Sequence, residues 1–505
     1  MGSGTKGIEP EAGVAHAPAA PIGARAIRGS VWSIGGAAVT FLLGFTRSVL
    51  LARLLLPEHF GVVTLALFYV SLVAQLRAFG LDQALVHRRD ADESVRRTYF
   101  TLRMGTGALS VIVLALLAPL FGQFYPAMPL LTWIVLALAG VDMLRVLDSV
   151  QETQLVKDLA FAQLAIIDMV ASAVMTVVAP LLAWAGWGVW ALVAEQGSGL
   201  TARVALAWVV FRRWSPRWGW DGPTARWFWE YGKPTWGTNN LSLLVTRFDD
   251  FWIGTTLGGA RLGYYSRAYE FAHYPRRVVA NPLVDVLSPV FAHLQADRVR
   301  LSQAFYRAAY VILRSGFLVT GIFALVMPEF IHLIIGDQWQ PMLFTFRLML
   351  IYTLLDALYL LGMNLLFAVG RPRHAQRAVA VRTLVFIPGV MLGAYVWDID
   401  GVALAADAMA LGGGIILCRY VWEVVDFSLS RLALWPTLAV SVAWGGGMLL
   451  EAAWVGHGLW VTAAGKVGVF GALYLGVLLA TERAQAMQGM RWAWGQLRPR
   501  AAIAP

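Results

Sequence analysis

Charged residues are scarce in this chain of 505 residues, since Asp, Glu, Lys and Arg together make up only 14% of it. Soluble globular proteins average about 25%, so the deficit argues against a soluble fold. Hydrophobic residues make up 58% of the chain and form long continuous blocks, such as 108–121 and 161–184. A helix crosses a bilayer with roughly 20 mostly apolar residues, whereas an outer-membrane barrel alternates apolar and polar positions. The sequence therefore predicts an all-α, polytopic membrane protein.

Other scarcities narrow the function. Cys418 is the only cysteine, which excludes an internal disulfide. The sequence has no His, Cys or acidic cluster with metal-ligand spacing, and no glycine-rich phosphate motif in a loop, so we expect no cofactor and no metal. The net charge is +10, but no basic stripe lies on a soluble module, so nucleic acid is not an expected partner. The external loops are too short for a catalytic domain, which favours a transporter over an enzyme.

Hydropathy predicts about fourteen transmembrane helices. Six of them form an N-terminal lobe and six a C-terminal lobe, followed by a helix pair. The predicted divisions are a disordered cytoplasmic tail (1–29), the N-terminal lobe (30–211), a central cytoplasmic loop (212–233), the C-terminal lobe (234–425), two extra transmembrane helices (426–481) and a basic cytoplasmic tail (482–505).

The Lys and Arg residues between the predicted spans lie almost all on one side of the membrane. They occur in both tails and in the loops that contain Arg88, Arg96, Lys157, residues 212–233, Arg298, Arg371 and Arg431. The opposite loops are short, and Arg261 is their main basic residue. Because Lys and Arg accumulate in cytoplasmic loops, we expect both termini in the cytoplasm.

Two hairpins suggest an internal repeat. Residues 54–61 (LLLPEHFG) end one predicted span and begin the next, and residues 256–263 (TLGGARLG) do the same after the central loop. In each, an apolar helix with an intramembrane Arg meets a very short turn. Two like-oriented six-helix halves are a known transporter plan, with the substrate path at their interface. Chance similarity between two apolar hairpins is the alternative.

The same hairpins resemble a known family. Residues 47–61 (RSVLLARLLLPEHFG) are similar to the first hairpin of bacterial exopolysaccharide and O-antigen exporters. Residues 249–254 (DDFWIG), 262–269 (LGYYSRAY) and 289–295 (PVFAHLQ) are similar to their seventh and eighth helices. On these motifs the chain resembles the lipid-linked oligosaccharide flippases, or Wzx-type polysaccharide transporters, of the multidrug/oligosaccharidyl-lipid/polysaccharide exporter superfamily.

The resemblance implies a V-shaped bundle of two six-helix lobes with two extra C-terminal helices. It implies that the protein flips an undecaprenyl-diphosphate-linked oligosaccharide, which is an exopolysaccharide, capsule or O-antigen repeat unit. Transfer would run from the inner to the outer leaflet of the bacterial cytoplasmic (inner) membrane, by alternating access of a cationic central cavity. The implied partners are the polyprenyl-diphosphate-linked oligosaccharide, membrane lipids, and a polysaccharide polymerase with its export machinery.

Charged side chains inside membrane spans are costly and are therefore functional candidates. Arg47 lies ten residues before Pro57, which places it about 15 Å from the end of the first helix. That is near the middle of a bilayer about 30 Å thick. It shares a helix face with four small or polar residues, Ser33, Gly36, Thr40 and Gly44. We predict that this face is the wall of a polar cavity. A packing seam of small residues is the alternative, but it does not explain the arginine.

The eighth predicted span carries a polar stripe at three- and four-residue spacing: Arg267, Glu270, Tyr274, Arg277, Asn281 and Asp285. A lipid-facing helix would not tolerate this stripe, so we predict that it lines the cavity, unless the span is shorter and Arg276 and Arg277 mark its end. Guanidinium groups match phosphate oxygens. The predicted substrate-binding residues are Arg47, Arg247, Arg267, Glu270, Tyr274, Arg277 and Asn281. Four aromatic residues are predicted to stack on sugars or to form an interfacial belt: Trp252, Tyr264, Tyr265 and Tyr269.

Three carboxylates are candidates for ion coupling. Asp356 lies far from both ends of its predicted span, and Asp249 and Asp250 follow Arg247 closely. A protonatable carboxylate inside the membrane can couple transport to an ion gradient. The alternatives are a hydrogen-bonded core acid at Asp356 and local neutralisation of Arg247 by its two neighbours.

Three other functions stay open at this point. An ion-coupled small-molecule exporter of the same superfamily would share the two-lobe plan, but its cavity should be acidic rather than arginine-rich. A membrane-embedded polysaccharide assembly enzyme, such as a polymerase or glycosyltransferase, usually carries a sizeable external loop. A scaffold would recruit assembly enzymes through residues 212–233.

Overall fold

The computed structural model describes residues 22–88, 92–454 and 458–497, and all regular elements among them are helical. The α-helices are α1 (Ile22–Leu54), α2 (Pro57–Leu76), α3 (Leu81–His87), α4 (Glu93–Phe124), α5 (Leu131–Lys157), α6 (Phe161–Trp184), α7 (Val189–Ala205), α8 (Gly222–Thr256), α9 (Gly259–Leu294), α10 (Arg298–Phe330), α11 (Leu343–Ala368), α12 (Pro372–Trp422), α13 (Leu429–Ala453) and α14 (Leu459–Leu497). Two π-helical turns extend α7 and α10, at Leu206–Val210 and Ile331–Ile335, and a 3-10 helix, Asp337–Met342, leads into α11.

In the described part of the chain, the number of long helices equals the predicted number of about fourteen spans when α12 is counted as two. The short helix α3 has 7 residues and is too short to cross a bilayer. Helix α12 contains two helices, because Trp397 and Asp398 have non-helical backbone angles in its middle. Among the described residues, nine helices are long and apolar enough to cross a membrane, and α5, α7, α8 and α9 are not among these nine. The predicted fold class, an all-α polytopic membrane protein, is confirmed.

Side-chain caps decide where several helices begin. The backbone N–H of Val95 donates to Asp92 Oδ1 at 2.9 Å, which caps α4 and lowers the pKa of Asp92. The N–H of Thr224 donates to Asp221 Oδ2 at 3.0 Å and caps α8 in the same way. The predicted central loop therefore ends at Asp221. Residues 222–233 of that segment are helical, because this cap starts the helix before the apolar run begins.

The predicted tails differ from the structure at one end. Residues 1–21 of the predicted disordered tail lie outside the described residues. Residues 22–29, which the sequence analysis placed in this tail, belong to α1, since Ala and Arg favour helix and no proline interrupts the run. At the other end, α14 has a break at Glu482 and then continues to Leu497. Residues 498–505 of the basic tail lie outside the described part of the chain.

The two halves share most of their common buried core at one end of the bundle. We call the end with the α1–α2 and α8–α9 connections the short-turn end, and the end with the arginine-rich loops the basic end. At the short-turn end one hydrophobic cluster joins Leu51 and Phe60 of the first half to Tyr265 and Trp339 of the second. At the basic end the cluster around Phe305 lies within the second half, whereas the cluster around Tyr99 joins the first half to Phe228 near the start of α8. The halves thus share a core at the short-turn end, and at the basic end the start of α8 packs on the first half while the rest of the second half has its own core.

The repeated hairpins of the two halves contact each other directly at the short-turn end. A Cβ atom placed on Gly61 would lie 1.8 Å from the carbonyl oxygen of Gly259. A Cβ atom placed on Gly263 would lie 1.8 Å from the carbonyl oxygen of Pro57. Gly61 and Gly263 hold the same position in the two repeats, as do Pro57 and Gly259. The predicted repeat is therefore also a reciprocal contact between α2 and α9, and only glycine allows the backbones to approach this closely.

Buried ion pairs attach the C-terminal helix pair to α10. Arg314 of α10 donates to Glu482 of α14, with Nη2 and Oε1 2.5 Å apart. Lys466 of α14 pairs with Glu329 of α10 and with Glu451 of α13, the latter at 2.7 Å between Nζ and Oε2. Lys466 is only 1% exposed. Because an unpaired buried charge is strongly destabilising, these pairs fix α13 and α14 on the second half.

Candidate functional site

A cavity of about 720 Å³ lies between the two halves, and α1, α6, α7 and α9 line it. Four members of the predicted face of α1 line this cavity, namely Gly36, Thr40, Gly44 and Arg47. The structure brings these residues together in one lining, their role in binding stays a prediction, and the side chain of Ser33 lies outside the described part. The opposite wall comes from α9, which contributes Glu270, Tyr274 and Arg277. Two predicted stripes, one from each half, therefore face the same space.

A smaller cavity of about 160 Å³ adjoins the first one and shares Gly44, Arg47 and Glu270 with it. Its lining also includes Ser48, Glu195 and Arg267. Arg47 Nε lies 2.7 Å from Glu195 Oε1, an ion pair between α1 and α7. Arg267 pairs with Glu270 one turn along α9. Arginines from opposite halves of the molecule thus lie in the lining of one small cavity.

Arg267 also contacts the first half of the molecule. Its Nη1 atom donates to Ser48 Oγ of α1 at 3.3 Å. Its guanidinium carbon lies 4.4 Å from the centre of the Phe60 ring on α2, a distance at which a cation is attracted to an aromatic face. These contacts hold Arg267 close to Arg47.

Tyr274 lies in the middle of the larger cavity's α9 wall. Its hydroxyl donates to Glu270 Oε1 at 3.3 Å, and its ring packs edge-on against Phe45 at 5.0 Å between ring centres. The Arg277 guanidinium carbon lies 5.7 Å from the same ring. Arg277 is exposed and forms no ion pair with any described residue. It is therefore a cation that a ligand in this cavity can meet without displacing a carboxylate.

The charge of the site is more balanced than the sequence predicted. The two cavities are lined by four arginines, Arg47, Arg203, Arg267 and Arg277, and by three carboxylates, Asp168, Glu195 and Glu270. Arg203 pairs with Asp168 and, outside the lining, with Asp148 at 2.6 Å. Most of the positive charge is thus neutralised by neighbouring acids.

The cavities are closed toward the short-turn end by contacts between the halves. The indole N–H of Trp339 donates to the carbonyl oxygen of Ala52 at 2.8 Å, and Gln338 Nε2 donates to the same oxygen at 3.1 Å. The last carbonyls of a helix have no partner within the helix, so the second half satisfies the end of α1. Tyr125, the residue directly after α4, and Thr255 of α8 add a hydroxyl contact of 2.7 Å. Together with the glycine contacts, these bonds separate the cavity from the short-turn end.

Several predicted site residues lie outside the lining of both cavities. Arg247 is 45% exposed and pairs with Asp250, with Nη1 and Oδ2 3.0 Å apart. Asp249 is buried and accepts the Tyr265 hydroxyl at 2.7 Å. Asn281 is half-buried one turn beyond Arg277. None of these residues lines either cavity, so their roles in binding or coupling stay predictions.

Asp356 lies in the second half, also away from the cavity lining. One of its oxygens pairs with Arg276, and the other lies 2.7 Å from Arg382 Nη1. Both arginines come from neighbouring helices, α9 and α12. The carboxylate is therefore held between two cations, and its proposed coupling role stays untested.

The aromatic residues expected to stack on sugars lie elsewhere. Tyr265 is 1% exposed and bonded to Asp249, while Trp252 stacks on Phe248. The cavity's own aromatic lining is Phe41, Phe161 and Tyr274. Helix periodicity identified Tyr274, but no pattern in the sequence identified the two phenylalanines, which look like ordinary span residues.

Comparisons with known proteins place this architecture. A family model described as "Polysaccharide biosynthesis protein" matches residues 50–344, which is more than half of the chain. The succinoglycan biosynthesis transport protein ExoT of Rhizobium meliloti (strain 1021) is 28% identical over 319 residues, covering 61% of this chain and 62% of that protein. The chain thus spans a little under two thirds of that relative. The lipopolysaccharide biosynthesis protein WzxC of Escherichia coli (strain K12) is 25% identical over 442 residues, covering 83% of this chain and 88% of that protein.

Solved structures give the fold. The lipid II flippase MurJ in an inward closed conformation has a TM-score of 0.72 and 13% identity, covering 91% of this chain and 100% of that one. An inward-facing multidrug resistance MATE family transporter of the MOP superfamily has a TM-score of 0.58 and 12% identity, covering 78% of this chain and 98% of that one. Likeness at such low identity shows the fold alone, and both folds belong to transporters, the class that the sequence predicted. The match over residues 50–344 joins this transporter fold to a sequence family, and the chain belongs to the family of polysaccharide biosynthesis proteins.

Proposed function

We propose that this protein flips a polyprenyl-diphosphate-linked oligosaccharide from the inner to the outer leaflet of the bacterial inner membrane. The observation that carries the proposal is the convergence of Arg47 and Arg267, from opposite halves, on one small cavity. The names of the relatives, which refer to succinoglycan transport and lipopolysaccharide biosynthesis, support a saccharide substrate. The polymerase and export machinery that would use the flipped unit are expected partners.

The chemistry of the cavity suits the two polar parts of such a substrate. A diphosphate carries about two negative charges, and arginine presents forked donors that match its oxygens. The adjoining space of about 720 Å³ has hydroxyl, carboxylate and aromatic lining, which are groups that bind sugars by hydrogen bonds and ring stacking. The prenyl chain would stay in the lipid. Neither the diphosphate nor the sugars could cross hydrocarbon without such a path.

The mechanism proposed is alternating access. The lobes 30–211 and 234–425 share a core at the short-turn end and have separate cores at the basic end. The positive-inside rule assigns the basic end and both termini to the cytoplasm, so this arrangement corresponds to a cavity that substrate enters from inside. Rocking of the lobes would break the contacts at the short-turn end and open the cavity to the outer leaflet.

Coupling to an ion gradient is part of the proposal, with Asp249 and Asp250 favoured over Asp356. The Asp356 carboxylate already has a cation on each of its oxygens, Arg276 on one and Arg382 on the other. Asp249 Oδ1, by contrast, is buried without a hydrogen-bond donor among the described residues. Such an oxygen can take up a proton or a small cation.

The test is flipping of an undecaprenyl-diphosphate-linked oligosaccharide in proteoliposomes that contain the purified protein. Each charged hydrogen bond to the diphosphate contributes roughly 1.5–3 kcal/mol, so we expect Arg47→Ala and Arg267→Ala to slow flipping by about 10- to 100-fold. Arg277→Ala should have a smaller effect, because Arg277 lies outside the small cavity. Arg226→Ala is the matched control, since Arg226 is 81% exposed near the start of α8.

Polymer export in cells provides a second readout for the same variants, compared at equal protein level in the membrane. If Arg47→Ala, Arg267→Ala and Arg277→Ala all keep normal flipping and export, the arginine-lined cavity does not carry the substrate and the proposal is wrong.

A further inference from the structure

The two arginines assigned to the diphosphate are already paired in this structure. Arg47 Nε lies 2.7 Å from Glu195 Oε1, and their side chains are 16% and 15% exposed. Arg267 pairs with Glu270, and their side chains are 16% and 25% exposed. All four groups line the same cavity of about 160 Å³. The charges of the two arginines and the two glutamates cancel, so the site is neutral before any ligand arrives.

We propose that Glu195 and Glu270 are exchangeable counter-ions, which the diphosphate replaces on the arginines when it binds. This inference rests on the proposed function. A diphosphate added to the intact pairs would leave about two negative charges uncompensated in a small, half-buried space, where charges interact far more strongly than in water. Release of the carboxylates from the guanidinium groups removes that repulsion.

The geometry allows the arginines to change partners. Arg47 Nη1 and Arg267 Nε are buried and have no acceptor among the described residues. Each arginine thus keeps unused donor capacity while it is paired with its glutamate. A phosphate oxygen can engage these donors first, before the carboxylate leaves, so no arginine needs to lose all its partners during the exchange.

The two glutamates are not equivalent. Glu270 also accepts the Tyr274 hydroxyl at 3.3 Å, so it keeps a donor after Arg267 turns to the ligand. The Glu195 carboxylate has Arg47 as its only side-chain donor among the described residues. Displacement of Glu195 is therefore the more costly step, and Glu195 competes more strongly with the ligand than Glu270 does.

The exchange also gives the carboxylates a role in release. When the cavity opens to the other side, the glutamates can pair with the arginines again and so help to expel the diphosphate. Removal of the charge of Glu195 should therefore strengthen binding and slow turnover. If Glu195 merely supported the fold, its substitution would weaken binding and also slow turnover.

The experiment measures binding of farnesyl diphosphate to the full-length protein in nanodiscs. We expect Glu195→Gln to bind this probe about tenfold more tightly, because one competing charged hydrogen bond is lost. Glu270→Gln should bind more tightly by a smaller factor, and Glu195→Asp, which keeps the charge, should bind as the parent does. Glu423→Gln is the matched control. Glu423 Oε2 lies 3.0 Å from Arg371 Nη1, and neither residue lines either cavity.

Transport by Glu195→Gln should show a lower KM together with a lower kcat. If Arg47→Ala and Arg267→Ala weaken probe binding while neither glutamine variant tightens it, the counter-ion exchange is wrong and the arginine site stands. If the arginine variants leave probe binding unchanged, the proposed function itself fails. Should Glu195→Gln fold poorly, the binding of Glu270→Gln decides the question in the same way.

Discussion

Replacement of Gly61 by alanine should shift the protein away from the state that is closed at the short-turn end. The new Cβ atom would lie 1.8 Å from the carbonyl oxygen and 2.6 Å from the carbonyl carbon of Gly259. Ordinary van der Waals contact begins near 3.4 Å, and the obstacle is backbone, which has no rotamer to change. Helices α2 and α9 would have to separate by more than 1 Å at this point.

The size of the shift follows from the cost of overpacking. An added methyl group in a tightly packed region costs about 1–3 kcal/mol. In a state where α2 and α9 have parted, the methyl group meets no obstacle. The equilibrium between the two states should therefore shift by about 5- to 150-fold toward the open one.

Spin labels at exposed sites of the two lobes can measure this shift. Leu130 and Tyr395 lie at the short-turn end, on opposite halves, and are 45% and 91% exposed. With Cys418 replaced by serine, a double electron–electron resonance measurement on labelled Leu130→Cys/Tyr395→Cys protein gives the populations of the short and long distances. We expect Gly61→Ala to increase the long-distance population.

Gly44→Ala is the matched control for this measurement. Gly44 is also a helical glycine, on α1, and a Cβ atom placed there would have no neighbour within 4 Å. Both substitutions raise helix propensity by a similar amount, so only the steric effect differs between them. A folded Gly61→Ala protein with the same distance distribution as Gly44→Ala would refute the reasoning, because it would mean that the glycine contact does not hold the closed state.

Two buried ion pairs give predictions about stability. Lys466→Met should lower the free energy of unfolding by about 3–5 kcal/mol, because Glu329 would remain buried without its partner. Thermal unfolding in detergent measures this loss. The double variant Lys466→Met/Glu329→Gln should recover much of the lost stability, because it leaves no unpaired charge at position 329. If it recovers none, the Lys466–Glu329 pair is not the cause of the loss. Asp356→Asn should destabilise the protein by a similar amount, because Arg276 and Arg382 would lose their shared carboxylate. An unchanged melting temperature with a lost ion dependence of transport would instead favour the coupling role.

The helices could be predicted because the signals that define them are local. Apolar runs of about 20 residues and the distribution of Lys and Arg gave the number and order of the spans. The start of the seventh span is the exception. Hydropathy placed the start of the seventh span at Pro234, whereas α8 begins at Gly222. Hydropathy detects only the apolar part of a helix, and the cap by Asp221 extends the helix into a polar stretch.

The cavity wall on α1 could be predicted, but the charge of the cavity could not. Periodicity alone placed Gly36, Thr40 and Gly44 on the face of Arg47. The partner of Arg47 is Glu195 on α7, and nothing local in either helix indicates that α1 and α7 meet. The site was therefore predicted to be cationic, and the structure shows that it is largely neutralised.

The same limit applies to the C-terminal helices. Lys466 lies within an apolar segment, and a lysine at such a position always indicates a buried partner or a cavity. The sequence contains this signal, but it does not say which acid is the partner. Glu329 lies on α10, far away in the chain. Pairing between distant helices depends on tertiary packing, which a single sequence does not reveal.

One stripe of α9 connects closure of the short-turn end to the binding site. Gly263, Arg267, Glu270, Tyr274 and Arg277 follow one another at three- and four-residue spacing, so they share a helix face. Gly263 packs against Pro57 of the first half, and Arg267 donates to Ser48 of the first half. The last three residues line the larger cavity. No proline lies in α9 between Gly263 and Glu270, so the helix moves as one body over this part, about 10 Å at 1.5 Å per residue. Separation of the contact between Gly263 and Pro57 therefore also withdraws Arg267 from Ser48 and Phe60 of the first half. Opening toward the short-turn end and loosening of the proposed diphosphate site would then be a single movement, and the proposed alternating access would need no second gate at that end.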